Sequence, residues 1–229
     1  MTLKLTSTKD VQHFVNIMVY GEAGVGKTTL CATAPNPLII SAEGGLLSLR
    51  KHDLPVFEVS SRDDVNDIYD WVVQSKEAEQ YETICLDSLS EIGEVLLADE
   101  KKVNKDGRAA YGIMADELAV TIRGFRDLKK HVYFTCKLRK VVEEATGRIT
   151  FMPSVPGQQT LNNLPFFFDE VFCLRIGTHE GKKYRYLQTE LDAQYVAKDR
   201  SGVLRSAEVA DLGYIIKTIT AAPEVANKK

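Results

Sequence analysis

The chain has 229 residues, 44% of them hydrophobic and 27% charged, with a net charge of −3. That length can bury a sizeable core, and one α/β domain with additions is the simplest organisation. No apolar run reaches the roughly 18 residues of a membrane span, so no helical span is expected.

In chain order, Met1-Thr2-Leu3-Lys4-Leu5-Thr6 lacks the apolar block of a secretory signal, so a cytoplasmic protein is expected. Phe14-Val15-Asn16-Ile17-Met18-Val19-Tyr20 reads as a buried strand. It feeds Gly21-Glu22-Ala23-Gly24-Val25-Gly26-Lys27-Thr28, a complete G-x-x-x-x-G-K-T, and Thr29-Leu30-Cys31-Ala32-Thr33 opens a helix. Strand, loop and helix in this order are the context in which the motif binds phosphate. The glycines let successive N–H groups converge on the β-phosphate, and the helix N-terminus adds donors and a favourable dipole. Lys27 would bridge the β- and γ-phosphates of ATP, and Thr28 would hold Mg²⁺. Residues 37–42 and 55–59 predict two further strands, and Ser61 caps a helix to about Glu79. Tyr81-Glu82-Thr83-Ile84-Cys85-Leu86-Asp87 is a fourth strand, followed by a helix from Leu89.

Lys101 to Arg108 breaks the apolar period and reads as a loop. A long helix over 111–130 leads into the strand His131–Cys136. Alternation of this kind implies a parallel sheet covered on both faces. Residues 141–151 read as a hairpin around Ala145-Thr146-Gly147, and 168–175 and 183–189 as two more antiparallel strands. A closing helix is expected over 206–219. The domain thus spans residues 1–220, with 221–229 a flexible tail. Cys31, Cys85, Cys136 and Cys173 are far apart in sequence and read as reduced core residues, not a disulfide or zinc framework.

Two carboxylates stand at strand ends. Asp87 closes an apolar Walker B-like strand; placed beside the first strand, it would reach the Mg²⁺ shell. Glu43 ends Leu38-Ile39-Ile40-Ser41-Ala42-Glu43 and can polarise a water for in-line attack on the γ-phosphate. Charge is uneven: between residues 101 and 148, twelve Lys or Arg face six Asp or Glu, leaving that segment at +6 and the remainder at −9. A basic segment on an acidic protein is a candidate polyanion contact.

Ile39-Ile40-Ser41-Ala42-Glu43-Gly44-Gly45-Leu46 resembles the strand of RecA-type recombinases that ends in their catalytic glutamate. Cys85-Leu86-Asp87-Ser88-Leu89 resembles their Walker B segment. The chain is most similar, within that superfamily, to phage RecA-like single-strand annealing ATPases. This resemblance implies a RecA-like P-loop core, oligomeric ATP hydrolysis stimulated by DNA, and a host cytoplasm as its setting. It implies single-stranded DNA on two loops, Lys101–Gly112 and Leu138–Asn163, with Lys101, Lys102, Lys105, Arg108, Arg139 and Lys140 as phosphate contacts. A single-strand-binding protein is a further candidate partner. Lys198-Asp199-Arg200 resembles the K-x-R segment that related ATPases project into a neighbour's nucleotide site. The glutamine that senses the γ-phosphate in RecA proteins is replaced in Thr135-Cys136-Lys137, with Lys137 the candidate contact there.

Competing readings are a P-loop small-molecule kinase, a GTPase, and a nucleotide-switched loader. No acceptor pocket or Arg-rich lid identifies the first. The GTPase fails at Asn104-Lys105-Asp106-Gly107, where Gly107 replaces the Asp needed two residues after the lysine, and no D-x-x-G follows Asp87.

Overall fold

A computed structural model describes residues 14–157 and 163–221. Strands β1 (Asn16–Gly21), β2 (Pro37–Ser41), β3 (Val56–Glu58), β4 (Thr83–Asp87), β5 (His131–Val142), β6 (Ile149–Ser154), β7 (Glu170–His179), β8 (Lys182–Gln188), β9 (Lys198–Asp199) and β10 (Ala207–Val209) form one sheet. Its order is β10-β8-β7-β1-β5-β4-β2-β3, with β6 on β5 and β9 on β7. All neighbours from β7 to β3 run parallel, whereas β6, β8, β9 and β10 pair antiparallel. This is the expected α/β architecture, a mostly parallel sheet flanked by helices with antiparallel strands toward the C-terminus.

The parallel strands are apolar on both faces because helices cover both. In β1, Met18 and Tyr20 enter one core and Ile17 and Val19 the other. The first core packs under α2 (Arg62–Gln74), α3 (Leu89–Val103) and α4 (Gly107–Arg126). In α4, Ala110, Met114, Leu118, Ile122 and Phe125 recur at helical spacing and are buried. Each of the four larger ones, Met114, Leu118, Ile122 and Phe125, contributes about 1.5–3 kcal/mol on full burial. The second core packs under α1 (Lys27–Leu30) and α5 (Leu212–Thr220). Helix starts follow the side chains: Ser61 and Asp64 form a capping box, while Ser88, Asp106 and Asp211 accept from the first turns of α3, α4 and α5.

Five sequence expectations change. β4 is not beside β1, because β5 inserts between them. The segment Lys101–Arg108 is mostly helix: α3 runs to Val103 and α4 starts at Gly107, capped by Asp106. The presumed second loop is a hairpin, since β5 continues through Val142 and pairs with β6; residues 158–162 of it lie outside the described residues. β7 joins the parallel core beside β1. The closing helix begins only at Leu212, because Ala207–Val209 pairs with β8. Most of the supposed tail, residues 222–229, is likewise outside the described residues, as are residues 1–13.

Candidate nucleotide site

The sheet's C-terminal edge assembles the site. β1 ends at Gly21, and the chain arches through exposed Glu22, Ala23 and Gly24 before Val25 returns to the core. Gly26 has φ 110°, a conformation that L side chains rarely adopt, and a Cβ there would come within 2.9 Å of Arg185 Nε. Lys27 starts α1, with Nζ donating to the Gly21 and Glu22 carbonyls at 2.9 and 3.0 Å. Because α1 has only four residues before a 3₁₀ turn, the helix dipole adds little. The groups able to hold a phosphate here are the loop N–H groups and Lys27. Thr29 is exposed beside them.

Asp87 reaches this edge despite the intervening strand. Its Oδ2 accepts from Thr28 Oγ1 at 2.8 Å, and its Oδ1 from Thr135 Oγ1 at 2.5 Å. Thr135 is buried on β5, so the inserted strand braces the carboxylate and does not separate it from the loop. Tyr133, two residues earlier, donates from its hydroxyl to the Lys27 carbonyl at 2.9 Å. Burial pushes the Asp87 carboxyl up, while the Thr135 and Thr28 bonds oppose that shift. Burial likewise lowers the Lys27 ammonium, against the attraction of Glu43 and Asp87.

Glu43 follows β2, where the Ala42 N–H donates to the Asp87 carbonyl at 2.8 Å. Its Oε1 accepts from Ser88 Oγ at 2.5 Å, which turns the carboxylate toward the Asp87 strand end. A cavity of about 520 Å³ is lined by Gly21, Glu22, Ala23, Lys27, Glu43, Lys137, Leu138, Lys140 and Phe151. The predicted lysine, threonine and two carboxylates therefore converge on one edge, with Lys27 and Glu43 on a shared cavity wall.

The sequence matches an AAA domain family over residues 13–201. The chain belongs to that family. No curated protein matches it in sequence. A KaiC-like protein of the archaeon Pyrococcus horikoshii OT3 is 13% identical, with 76% of each chain covered and a TM-score of 0.41. The flagellar accessory protein FlaH of Methanocaldococcus jannaschii is 14% identical, covering 84% of this chain and 83% of its own, with a TM-score of 0.43.

The AAA-domain match spans every nucleotide-site residue named above. The other predicted site residues are dispersed. Lys137 sits on the cavity wall and forms an ion pair with Glu91 in the first turn of α3. Arg139 and Lys140 point to opposite faces of the β5–β6 hairpin, and only Lys140 lines the cavity with Lys27 and Glu43. Lys101 lies over the Tyr111 ring at 5.1 Å and Lys102 pairs with Asp99 at 2.5 Å, both in the last turn of α3. Lys105 is in the three-residue link and Arg108 is the second residue of α4. Lys198 Nζ donates to the Pro165 and Phe168 carbonyls at 2.9 and 2.5 Å. Arg200 holds Asp169 at 2.6 Å while its side chain stays 59% exposed.

Three contributors escaped sequence reasoning. Thr135 and Tyr133 needed the strand order, since nothing local places β5 between β1 and β4. Arg185 Nε donates to the Val25 carbonyl at 2.6 Å from 160 residues away in sequence. Only the Lys-Lys-Tyr-Arg-Tyr pattern of β8 marked that stretch as unusual.

Proposed function

We propose that this AAA-domain protein hydrolyses ATP and uses the cycle to bind single-stranded DNA, promoting annealing or strand pairing as a homo-oligomer of the phage recombination type. The observation that carries the reading is the convergence at the strand ends. Thr28 and Asp87 are hydrogen-bonded to each other, and Glu43 shares a cavity with Lys27.

ATP fits as follows. The loop N–H groups and Lys27 hold the β- and γ-phosphates. The Thr28 and Asp87 oxygens are donors suited to Mg²⁺, a hard cation that would neutralise charge on the phosphates. Among the described residues no group of three or more His, Cys, Asp or Glu could hold a metal. Glu43 accepts a proton from the attacking water, and Lys27 offsets negative charge on the phosphoryl group. Lys137 exchanges Glu91 for the γ-phosphate, so nucleotide occupancy is felt on β5. That strand continues into the hairpin that carries Arg139 and Lys140, which gives a direct route from ATP to the DNA contacts. Lys101, Lys102, Lys105 and Arg108 form a second, weaker backbone contact. Across a subunit interface, Arg200 leaves Asp169 to complete a neighbour's site, with Lys198 anchoring the segment.

The test is ATP hydrolysis by wild type and Glu43→Gln, with and without single-stranded DNA. Stimulation by DNA in wild type only is expected. Hydrolysis indifferent to DNA would favour a nucleotide-switched loader instead.

A further inference from the structure

β1 pairs with β7 only as far as Cys173, so Leu174–His179 and its partner β8 extend past the phosphate loop as a hairpin. β8 reads Lys182-Lys183-Tyr184-Arg185-Tyr186, three cations interleaved with two tyrosines and no acid. Strand alternation splits this run. Arg185 turns to the phosphate loop, donating to the Val25 carbonyl. Tyr184 and Tyr186 turn to the opposite face, across from Gly177 and Arg175.

On that face the rings form a ladder. Tyr184 lies over Gly177, where a Cβ would come within 2.6 Å of its ring, and Tyr184 is 50% exposed. The Tyr184 and Tyr186 centroids are 5.8 Å apart. The Arg175 guanidinium follows, 5.7 Å from the Tyr186 ring and 4.1 Å from that of Tyr195. Tyr195 stacks on Phe151 at 4.7 Å and 20°. Phe151 in turn lines the cavity that holds Lys27 and Glu43. Asp192 Oδ2, 4.0 Å from Arg175, and Gln188 Oε1, accepting at 2.7 Å, fix the guanidinium between the rings.

We propose that this face of the β7–β8 hairpin is a stacking surface for the bases of a single-stranded nucleic acid. The proposal rests on the reading of the chain as a single-strand-binding ATPase, but places the bases on a different surface from the Lys101–Arg108 segment. Aromatic rings and guanidinium planes stack on any base, while Lys182, on the tyrosine side of β8, and Arg175 attract the backbone. A mononucleotide would cover one rung; a run of rungs matches a strand. Because Arg185 and the two tyrosines alternate on one strand, any shift of the phosphate loop that moves Arg185 also moves the rings.

The experiment measures affinity of the full chain for an oligothymidine and for an abasic strand of equal length. Tyr184→Ala and Tyr186→Ala should each weaken oligothymidine binding about tenfold, the range of one lost base stack. Tyr184→Phe should bind within about twofold of wild type, and all of them should bind the abasic strand alike. Fluorescence of Tyr184→Trp should be quenched by oligothymidine and not by the abasic strand. Unchanged oligothymidine affinity in both alanine variants overturns the proposal, as does an equal loss on the abasic strand. So does a loss of ATP-analogue affinity with strand affinity intact, which would assign the rings to adenine. A wild-type chain that binds neither strand overturns the single-strand reading itself.

Discussion

The nucleotide edge and the basic segment of residues 101–148 were both visible in the sequence, yet only one became a single place in the fold. Lys27, Thr28, Glu43 and Asp87 come from three separate segments, but each sits at or just beyond the C-terminal end of a parallel strand. Parallel strands end at one edge, so the groups meet there and hydrogen bonds of 2.5–3.0 Å hold them. The basic residues share only a sign of charge. Lys102 and Arg126 are paired with neighbouring acids, Lys137 with Glu91, and Lys130 is tied to the Ala78 and Tyr81 carbonyls. Position on a strand end specifies a location; net charge does not.

That contrast can be broken or sharpened experimentally. The largest effect belongs to Lys27→Ala, which should abolish measurable hydrolysis and cut ATP affinity about 100-fold, read by isothermal titration. Glu43→Gln comes next, with hydrolysis down roughly 10²–10³-fold while ATP affinity stays within about threefold; an equal loss in both would make Glu43 a binding group only. Within the basic segment, Arg139→Ala with Lys140→Ala should lower single-strand affinity about tenfold and flatten its salt slope by roughly 1.4. Lys101→Ala with Lys102→Ala should cost about twofold, because both ammonium groups are already engaged in-chain. Equal losses from the two pairs would restore the segment as one patch.

The smallest effect is a matter of stability. Glu170 is 1% exposed at the start of β7, and burial, with Asp199 alongside, pushes its carboxyl from 4.5 up to about 8. The folded chain therefore keeps a proton that the unfolded chain has lost between those values, and stability falls as pH rises through that window. Glu170→Gln, which mimics the protonated form, should raise the melting temperature by roughly 5 °C at pH 9 and change it by about 1 °C or less at pH 5. Calorimetry at both pH values checks this.

The chain's own residue order was enough for the phosphate loop, for Glu43 and Asp87 at strand ends, for the cap at Ser61, and for buried reduced cysteines. Each is written in a short window: an apolar run, a turn residue, a polar side chain at the boundary. The helical start at Gly107 was missed because Lys101–Arg108 looks like a loop by polarity, and the Asp106 cap is a single residue. The strand at Ala207–Val209 was missed because three residues carry no period.

Sequence by itself determined that this protein is an α/β chain with a strand, a P-loop motif and a helix start in succession, since those features depend on neighbours within one turn or strand. Only tertiary structure decided that β5 lies between β1 and β4, bringing Thr135 onto Asp87 and Tyr133 onto Lys27. It alone turned Arg139 and Lys140 to opposite faces and set Arg185 against the phosphate loop. Strand order and facing are settled by which buried surfaces fit together across the whole sheet, and no local window of residues contains that information.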